Sequence, residues 1–422
     1  MTSPVARCLA ILLSVGLSTA SHAEVDAEKY GAGKNYPLAG DYWHGERDEY
    51  AVAEYSGERL TKPYNYYSGK PEVSWVRKQD KFTAPLKRAE VSWGMFHDPN
   101  YWIEKNVVLA VAIYKEGHLL LEKYQYGRRP DHRFNSQSMA KTISAMAIGV
   151  GVDEGKIDIN RPVEDYLSYL KGSPLGKVTV RNHLKMASGS GFRWDAKGDS
   201  KKYFLQKFAP PCGKSTGYVK LDYCGVDIRD LWVKVDTPYS QGVRFNYDPM
   251  SSDILSAVIS SVYGKPLSKF LEERVWQKIG TEDDAFWNFM WATPTQPKMT
   301  SGANFLHARL TDWVRLSRLF VDDSSDPVIS NKWLQQMVSD KLPTSTYHMV
   351  QPDMIEYGYQ TWISKNYFAM EGYRGQEILM DPKSKTLMVV FALKGDWKKD
   401  GHKFFEWLID QKLEDLRKNN RQ

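Results

Sequence analysis

The stretch Phe134–Gly151, with the sequence FNSQSMAKTISAMAIGVG, contains a reactive motif and the helix that would bury it. Ser138 and Lys141 form an S-x-x-K pattern in it. If a helix begins near Ser138, residues at this spacing lie on one helical face, so the hydroxyl and the amine are neighbours. A neutral amine there can accept the hydroxyl proton and make the serine oxygen a nucleophile. The apolar residues from Ile143 to Val150 predict that this helix enters the core and shields the pair from water.

The S-x-x-K pattern alone is weakly specific, because the chain contains it a second time, at Ser168 and Lys171. There the sequence Gly-Ser-Pro at 172–174 follows at once and would stop a helix. We therefore expect a buried helix after Ser138 and none after Ser168. The alternative for Ser138 is a serine that only caps a helix.

The composition is that of an ordinary globular protein with a sizeable core, since 42% of its 422 residues are hydrophobic and 26% are charged. The 57 Lys and Arg residues are scattered and nearly balanced by 51 Asp and Glu residues, which does not favour a nucleic-acid partner. The nine histidines are dispersed, and the sequence has neither a C-x-x-C nor an H-E-x-x-H pattern. We therefore expect neither a metal nor another cofactor.

Residues 1–23 have the pattern of a secretory signal peptide, with an apolar run from Leu9 to Leu17 and a small-x-small cleavage site ending at Ala23. The run is too short to span a bilayer, and no other run is long enough. The sequence thus predicts a periplasmic or secreted protein. In that environment Cys212 and Cys224 can form a disulfide, worth ~3 kcal/mol in the chain-entropy account. The alternative is a pair of free thiols in a loop.

Strand patterns occur near both ends of the domain, with helical patterns between them. Two are expected to pair early, across a tight turn, and four occur in the last third: Val107–Tyr114 and His118–Tyr124, then Tyr357–Ile363, Asn366–Met370, Glu377–Asp381 and Thr386–Leu393. A helix over about 402–416 follows. The arrangement predicts an α+β fold, in which helices flank an antiparallel sheet and a mainly helical lobe, about 151–290, is inserted.

We place the main domain at 91–422 and interpret residues 24–90, rich in Tyr, Gly and Trp, as an extension packed on its surface. Further helices are predicted at Val163–Leu170, from a capping Thr179 to Ser188, at Ile254–Val262 closed by Gly264, at Leu267–Ile279, and from a capping Thr311 to Phe320.

Two later segments could complete a site for acyl transfer, which needs a second proton carrier and an oxyanion hole besides the nucleophile. Tyr247 stands in a loop just ahead of the Ile254–Val262 helix. The segment 372–376, with the sequence GYRGQ, opens a predicted strand with two glycines, where a substrate could approach the backbone closely.

These motifs resemble those of the serine β-lactamase and penicillin-binding-protein superfamily: S-x-x-K on a helix, Y-x-N before a later helix, and K/H-x-G on a late strand. Within it, the chain is similar to class C-like esterases and 6-aminohexanoate-dimer hydrolases. Supporting stretches in the same order are TVRNHLKMASG at 179–189, FLHARLTDWVRLSRL at 305–319, YGYQTW at 357–362 and GYRGQ at 372–376. The resemblance covers about residues 95–415 and implies a β-lactamase/transpeptidase-like fold.

The resemblance also implies a role for each matching residue. Ser138 would be the acylated nucleophile, Lys141 its base, and Tyr247 the group that carries a proton between nucleophile and leaving group. The oxyanion hole would be formed by the backbone N–H groups of Ser138 and Tyr373. The loss of one such N–H donor typically raises the activation barrier by ~3 kcal/mol.

Two positions depart from the superfamily pattern. Pro249 stands where Y-x-N has its amide side chain, and Met370 replaces the cation of K-x-G. Acyl transfer remains chemically possible, but the cation that would bind the carboxylate of a β-lactam or peptide is missing. Arg374 could replace that charge, or it could form an ordinary surface salt bridge.

Several functions therefore stay open. We expect a hydrolase that acts on a small-molecule ester or amide, similar to a 6-aminohexanoate-dimer hydrolase or a carboxylesterase. The alternatives are a β-lactamase or D-amino-acid peptidase, and a binding protein on the same fold without catalysis. The sequence does not indicate an oligomeric state.

Overall fold

The computed structural model describes residues 73–94, 96–192, 227–290, 299–324, 327–345, 353–393 and 395–418. The predicted signal peptide and the predicted disulfide between Cys212 and Cys224 fall outside these residues. Among the helices of the described part of the chain, none is both long enough and apolar enough to cross a membrane.

A nine-stranded sheet forms the centre of the fold and takes its strands from both ends of the domain, as predicted. Its order is β2-β4-β3-β14-β13-β12-β11-β10-β9, and every neighbouring pair is antiparallel except β2 and β4. The strands are β2 (Lys87–Arg88), β3 (Val108–Lys115), β4 (His118–Tyr124), β9 (Leu342–Pro343), β10 (Glu356–Tyr357), β11 (Trp362–Ile363), β12 (Phe368–Gly372), β13 (Gln376–Asp381) and β14 (Thr386–Ala392).

A second, smaller sheet has the order β1-β6-β8-β5, with β7 paired to β6. Its strands are β1 (Val73–Val76), β5 (Arg133–Asn135), β6 (Ala285–Met290), β7 (Met299–Thr300) and β8 (Leu306–Arg309). This sheet was not predicted, because its strands are short and widely separated along the chain. Through β1 and β2, the described end of the predicted extension contributes a strand to each sheet.

The helices flank the large sheet and fill the inserted lobe. They are α1 (Asn100–Lys105), α2 (Ala140–Asp153), α3 (Val180–Leu184), α4 (Ile228–Lys234), α5 (Pro249–Tyr263), α6 (Leu267–Leu271), α7 (Leu310–Ser317), α8 (Asn331–Ser339), α9 (Lys398–Ile409) and α10 (Leu413–Lys418). Gly264 ends α5 in the left-handed conformation, at φ 66°, as its position predicted. Thr179 caps α3 by accepting a hydrogen bond from the Asn182 N–H.

Several of the predicted helices are wrong in detail. The segment Val163–Leu170 contains only two single 3-10 turns, 163–165 and 168–170. Thr311 is not a cap: α7 begins at Leu310, and the Thr311 hydroxyl donates to Glu282 Oε2. The helix expected over 402–416 is two helices, because α9 ends at Ile409 and α10 begins at Leu413.

The large sheet separates two hydrophobic cores. On one face, Ile378 and Met380 of β13 belong to the core that includes α2, α5 and α7. On the other face, Leu379 belongs to the core that includes α1, α9 and α10. Alternate residues of one strand therefore reach both cores, as the two-residue period of a strand requires. Helix α2 is buried along Ala140–Gly151, which confirms the burial predicted from its apolar sequence.

Gln360, between β10 and β11, ties three helices of the first core together. Its backbone oxygen accepts the Thr142 hydroxyl of α2 at 2.6 Å, and its Oε1 accepts the Ser252 hydroxyl of α5 at 2.6 Å. Its Nε2 donates to the His183 carbonyl of α3 at 2.9 Å. Through its backbone oxygen and its side chain, Gln360 therefore fixes the helix that carries Lys141 relative to the helix that follows Tyr247.

We predict that Gln360→Ala lowers the free energy of unfolding by about 2–4 kcal/mol, because buried donors and acceptors on α3 and α5 lose their partner. Gln79→Ala is the control, since Gln79 is exposed, and its effect should stay within about 0.5 kcal/mol. Urea unfolding of both variants measures the difference. Equal transition midpoints for wild type and Gln360→Ala would contradict the account.

Candidate active site

Ser138 and Lys141 lie at the start of the buried helix α2. Ser138 is in the 3-10 turn Gln137–Met139, which runs directly into α2. The Lys141 Nζ donates hydrogen bonds to Ser138 Oγ at 2.9 Å and to the Ala303 carbonyl at 2.8 Å. The contact expected between hydroxyl and amine is therefore present.

The surroundings of Lys141 favour a neutral amine. Lys141 is only 2% exposed, and this burial lowers the pKa of its amine from 10.5 to about 7. The carboxylates of Asp253 and Asp248, both buried, oppose the shift because they stabilise the ammonium. Burial outweighs them, so the amine is partly deprotonated near neutral pH.

The loop Ser301–Asn304 supplies contacts to both residues that the sequence analysis missed. Its Ala303 carbonyl accepts from Lys141, and its Asn304 Oδ1 lies 3.2 Å from Ser138 Oγ. Asp253 fixes the loop, since its Oδ1 accepts the Ala303 N–H at 3.1 Å. The only sequence signal was Gly302, where a Cβ would lie 2.1 Å from the Ser252 carbonyl. A single glycine is too common to indicate such a contact.

Tyr247 also reaches the nucleophile. Its hydroxyl is hydrogen-bonded to Ser138, and the Lys141 Nζ lies 5.1 Å from the centre of its ring. Burial raises the pKa of the Tyr247 hydroxyl well above its usual value, and the Glu371 carboxylate adds to the effect. The ring stacks on Trp362 with their centroids 5.4 Å apart. Tyr247 is therefore a neutral hydroxyl held in a fixed orientation, able to donate a proton.

The residues after Tyr247 explain one departure from the Y-x-N pattern. Asp248 caps α5, because its Oδ1 accepts the Met250 N–H at 2.9 Å. Pro249 is the first residue of that helix, a position at which proline suits the backbone and no N–H is needed. The third position of the motif therefore begins the helix and presents no amide side chain.

The end of β12 lies against the nucleophile turn. A Cβ on Gly372 would lie 2.5 Å from the Ser136 carbonyl and 3.0 Å from the Gln137 Cβ, so only glycine permits this approach. Tyr373 comes next, in the turn to β13, so its backbone directly follows the point at which β12 comes closest to the nucleophile turn. Gln137 adopts φ 46°, which is uncommon for a residue with a side chain and marks a constrained turn just before Ser138.

The remaining predicted residues occupy different environments. Met370, at the cation position of K-x-G, is fully buried in the hydrophobic core. Arg374 is on the β12–β13 turn, with its guanidinium 5.6 Å from the centre of the Tyr373 ring. Ser168, of the second S-x-x-K, is exposed in an isolated 3-10 turn with no buried helix after it, as expected.

Comparison with known proteins finds similar hydrolases. In sequence, the chain is 22% identical over 326 residues to the 6-aminohexanoate-dimer hydrolase of Paenarthrobacter ureafaciens, covering 74% of this chain and 80% of the relative. A putative D-alanyl-D-alanine carboxypeptidase of Salmonella typhimurium is 23% identical over 246 residues, 52% of either chain.

The fold matches solved structures in the same way. A putative 6-aminohexanoate-dimer hydrolase from Bacillus anthracis superposes with a TM-score of 0.65 at 20% identity, over 82% of this chain and 92% of that one. A penicillin-binding protein from Bacillus halodurans gives a TM-score of 0.55 at 18% identity, over 73% and 99% of the two chains. The sequence profile described as Beta-lactamase matches residues 104–405, more than two thirds of the chain. With the predicted resemblance and fold class both confirmed, the chain belongs to the Beta-lactamase family.

Proposed function

We propose that this serine hydrolase cleaves an ester or amide bond through an acyl-enzyme on Ser138. The observation that carries the proposal is the 2.9 Å contact between Ser138 Oγ and a lysine amine whose pKa burial lowers to about 7. A serine hydroxyl is a weak nucleophile until a neighbouring base accepts its proton. Lys141 is the base at hydrogen-bonding distance, and near neutral pH part of it is unprotonated.

The first half of the reaction follows from these positions. Ser138 Oγ attacks the carbonyl carbon while its proton passes to the Lys141 Nζ. The carbonyl oxygen becomes an oxyanion, which accepts hydrogen bonds from the N–H groups of Ser138 and Tyr373 in the proposed hole. The Tyr247 hydroxyl, kept neutral by burial, transfers a proton to the departing alcohol or amine. Collapse of the intermediate breaks the bond to the leaving group and leaves an acyl-enzyme.

In the second half, water attacks the acyl-enzyme carbonyl and gives up a proton to the Lys141–Tyr247 pair. The same hole accepts the second oxyanion. Ser138 Oγ then leaves with a proton, which restores the resting enzyme and releases the acid. The step needs no group beyond those used for acylation, so one site serves both halves.

A linear ester or amide suits this site better than a β-lactam or a D-amino-acid peptide. Met370 is buried in the core, so its strand position offers no cation to a substrate carboxylate. Pro249 likewise offers no amide. The named relative of Paenarthrobacter ureafaciens is a 6-aminohexanoate-dimer hydrolase, which makes short linear amides the first class to test, with carboxylic esters second. A role for Arg374 in binding a substrate carboxylate is part of the proposal.

The proposal includes export, motivated by the signal-peptide pattern of residues 1–23. N-terminal sequencing of the protein recovered from the producing cells tests it. A new terminus next to Ala23 is the expected result, and an intact Met1 on all of the protein would contradict it.

We predict that a fluorophosphonate labels wild type and Ser168→Ala equally and leaves Ser138→Ala unlabelled. Both serines belong to an S-x-x-K pattern, but only Ser138 has a lysine amine at hydrogen-bonding distance in a buried site. Ser168→Ala is therefore the matched control. The proposal fails if Ser138→Ala is labelled as strongly as wild type.

We predict that kcat/KM for p-nitrophenyl acetate rises with pH through a midpoint at about 7 and levels off well above it, because only the unprotonated Lys141 accepts the serine proton. Asp253→Asn should move this rise to lower pH, since the lost carboxylate no longer stabilises the ammonium. Lys141→Ala should abolish turnover. A binding protein without catalysis would show no turnover even as wild type. A rise that moves to higher pH in Asp253→Asn would contradict the role of Lys141.

A further inference from the structure

A chain of mostly buried ionic groups lies behind β12 and β13, next to the turn that joins them. Glu371 and Glu377 face each other across the two strands. Lys398, the first residue of α9, contacts both, with its Nζ 3.2 Å from Glu371 Oε2 and 3.3 Å from Glu377 Oε2. His402 Nε2 lies 3.0 Å from the same Glu377 oxygen, and its Nδ1 lies 2.6 Å from Asp353 Oδ2.

The position of Lys398 is unfavourable unless the two carboxylates hold it there. It is 5% exposed and stands in the first turn of a helix, where the helix dipole repels a cation. Burial lowers the pKa of its amine, but Glu371 and Glu377 outweigh burial, and the pKa is raised overall. Lys398 is therefore a cation at neutral pH. A buried ion pair adds little net stability, so its effect on geometry is the more informative property.

The geometry in question is that of the 373–375 turn, which follows Gly372 and leads into β13. Two other side chains already fix this turn: Trp397 Nε1 donates to the Gly375 carbonyl at 3.1 Å, and Gln376 Nε2 donates to the Tyr373 carbonyl at 3.2 Å. Glu371 immediately precedes Gly372, so Lys398 fixes the strand end from which the turn begins. Its neighbour Trp397 holds the other end of the same turn.

We propose that Lys398 is a positioning residue for the oxyanion hole: by holding Glu371 against Glu377, it fixes the turn and thereby aims the Tyr373 N–H. The inference rests on the proposed function, because it takes the Tyr373 amide as one of the two donors. Donors stabilise an oxyanion only when they are fixed in direction before charge develops, so a small displacement of the turn weakens the hole. In this role Lys398 acts through Glu371 and the turn, without contacting the substrate.

Phenylboronic acid tests this geometry, since it mimics the tetrahedral intermediate. Ser138 Oγ forms a bond to boron, the hydroxyl proton passes to Lys141, and the boron becomes a tetrahedral anion with one oxygen in the hole. We expect Lys398→Met to raise the inhibition constant by about tenfold or more and to lower kcat for p-nitrophenyl acetate. Lys398→Arg, which keeps a cation able to bridge both carboxylates, should restore most of the affinity.

Lys115→Met is the matched control. Lys115 is also fully buried in the large sheet, but its Nζ donates to Thr386 Oγ1 at 2.8 Å and does not contact the turn. This variant should lose stability and keep the wild-type inhibition constant. Equal inhibition constants for Lys398→Met and Lys115→Met, measured below both melting temperatures, would overturn the inference.

If Lys398→Met does not fold, Glu377→Gln decides the question, because it keeps the side-chain shape and removes the charge that holds Lys398. A several-fold weaker affinity for phenylboronic acid is expected, and an unchanged affinity overturns the inference. Failure of the proposed function would appear differently, as wild-type protein that neither hydrolyses the ester nor binds the boronate. That result would overturn both proposals.

Discussion

The exclusion of water from the Lys141 amine is the constraint on which the rest of the site depends. Lowering its pKa from 10.5 to about 7 corresponds to a cost of the order of 5 kcal/mol for the ammonium. The unfolded lysine stays protonated up to about pH 10, so this cost to folding is largest below pH 7 and disappears above pH 10.5. The fold accepts that loss of stability in exchange for a base that functions near neutral pH.

The architecture supplies this exclusion from several directions at once. Helix α2 is buried along most of its length, so water has no access to Lys141 along this helix. Gln360 fixes α2 to α3 and α5, and Asp253 of α5 fixes the loop whose Ala303 carbonyl accepts from the lysine. On the other side, Gly372 brings β12 against the nucleophile turn. Parts that are distant in sequence therefore meet around one amine.

The sequence predicted the parts of this arrangement that depend on local patterns. The period of the apolar residues after Ser138 indicated a buried helix, and the order of the motifs led to Tyr247 and to the turn at 372–376. It did not predict Asp253, Ala303 or Asn304, because their contacts with Lys141 and Ser138 arise only when α5 and the 301–304 loop pack together. Likewise, the ion pairs of Lys398 with Glu371 and Glu377 could not be predicted, because they form only when α9 packs against β12 and β13. Strands β1 and β5 to β8 were missed because short strands without a clear alternation give little signal.

Trapping the covalent intermediate tests the central claim most directly. The protein would be mixed with p-nitrophenyl acetate, quenched in acid during turnover, digested, and analysed by mass spectrometry. The account predicts one acetyl group on Ser138 in wild type, and none there when Lys141 is replaced by alanine. Two results would contradict the account. The ester could be consumed while the acetyl group appears on another residue, or Ser138 could stay unmodified under conditions in which an acyl-enzyme accumulates.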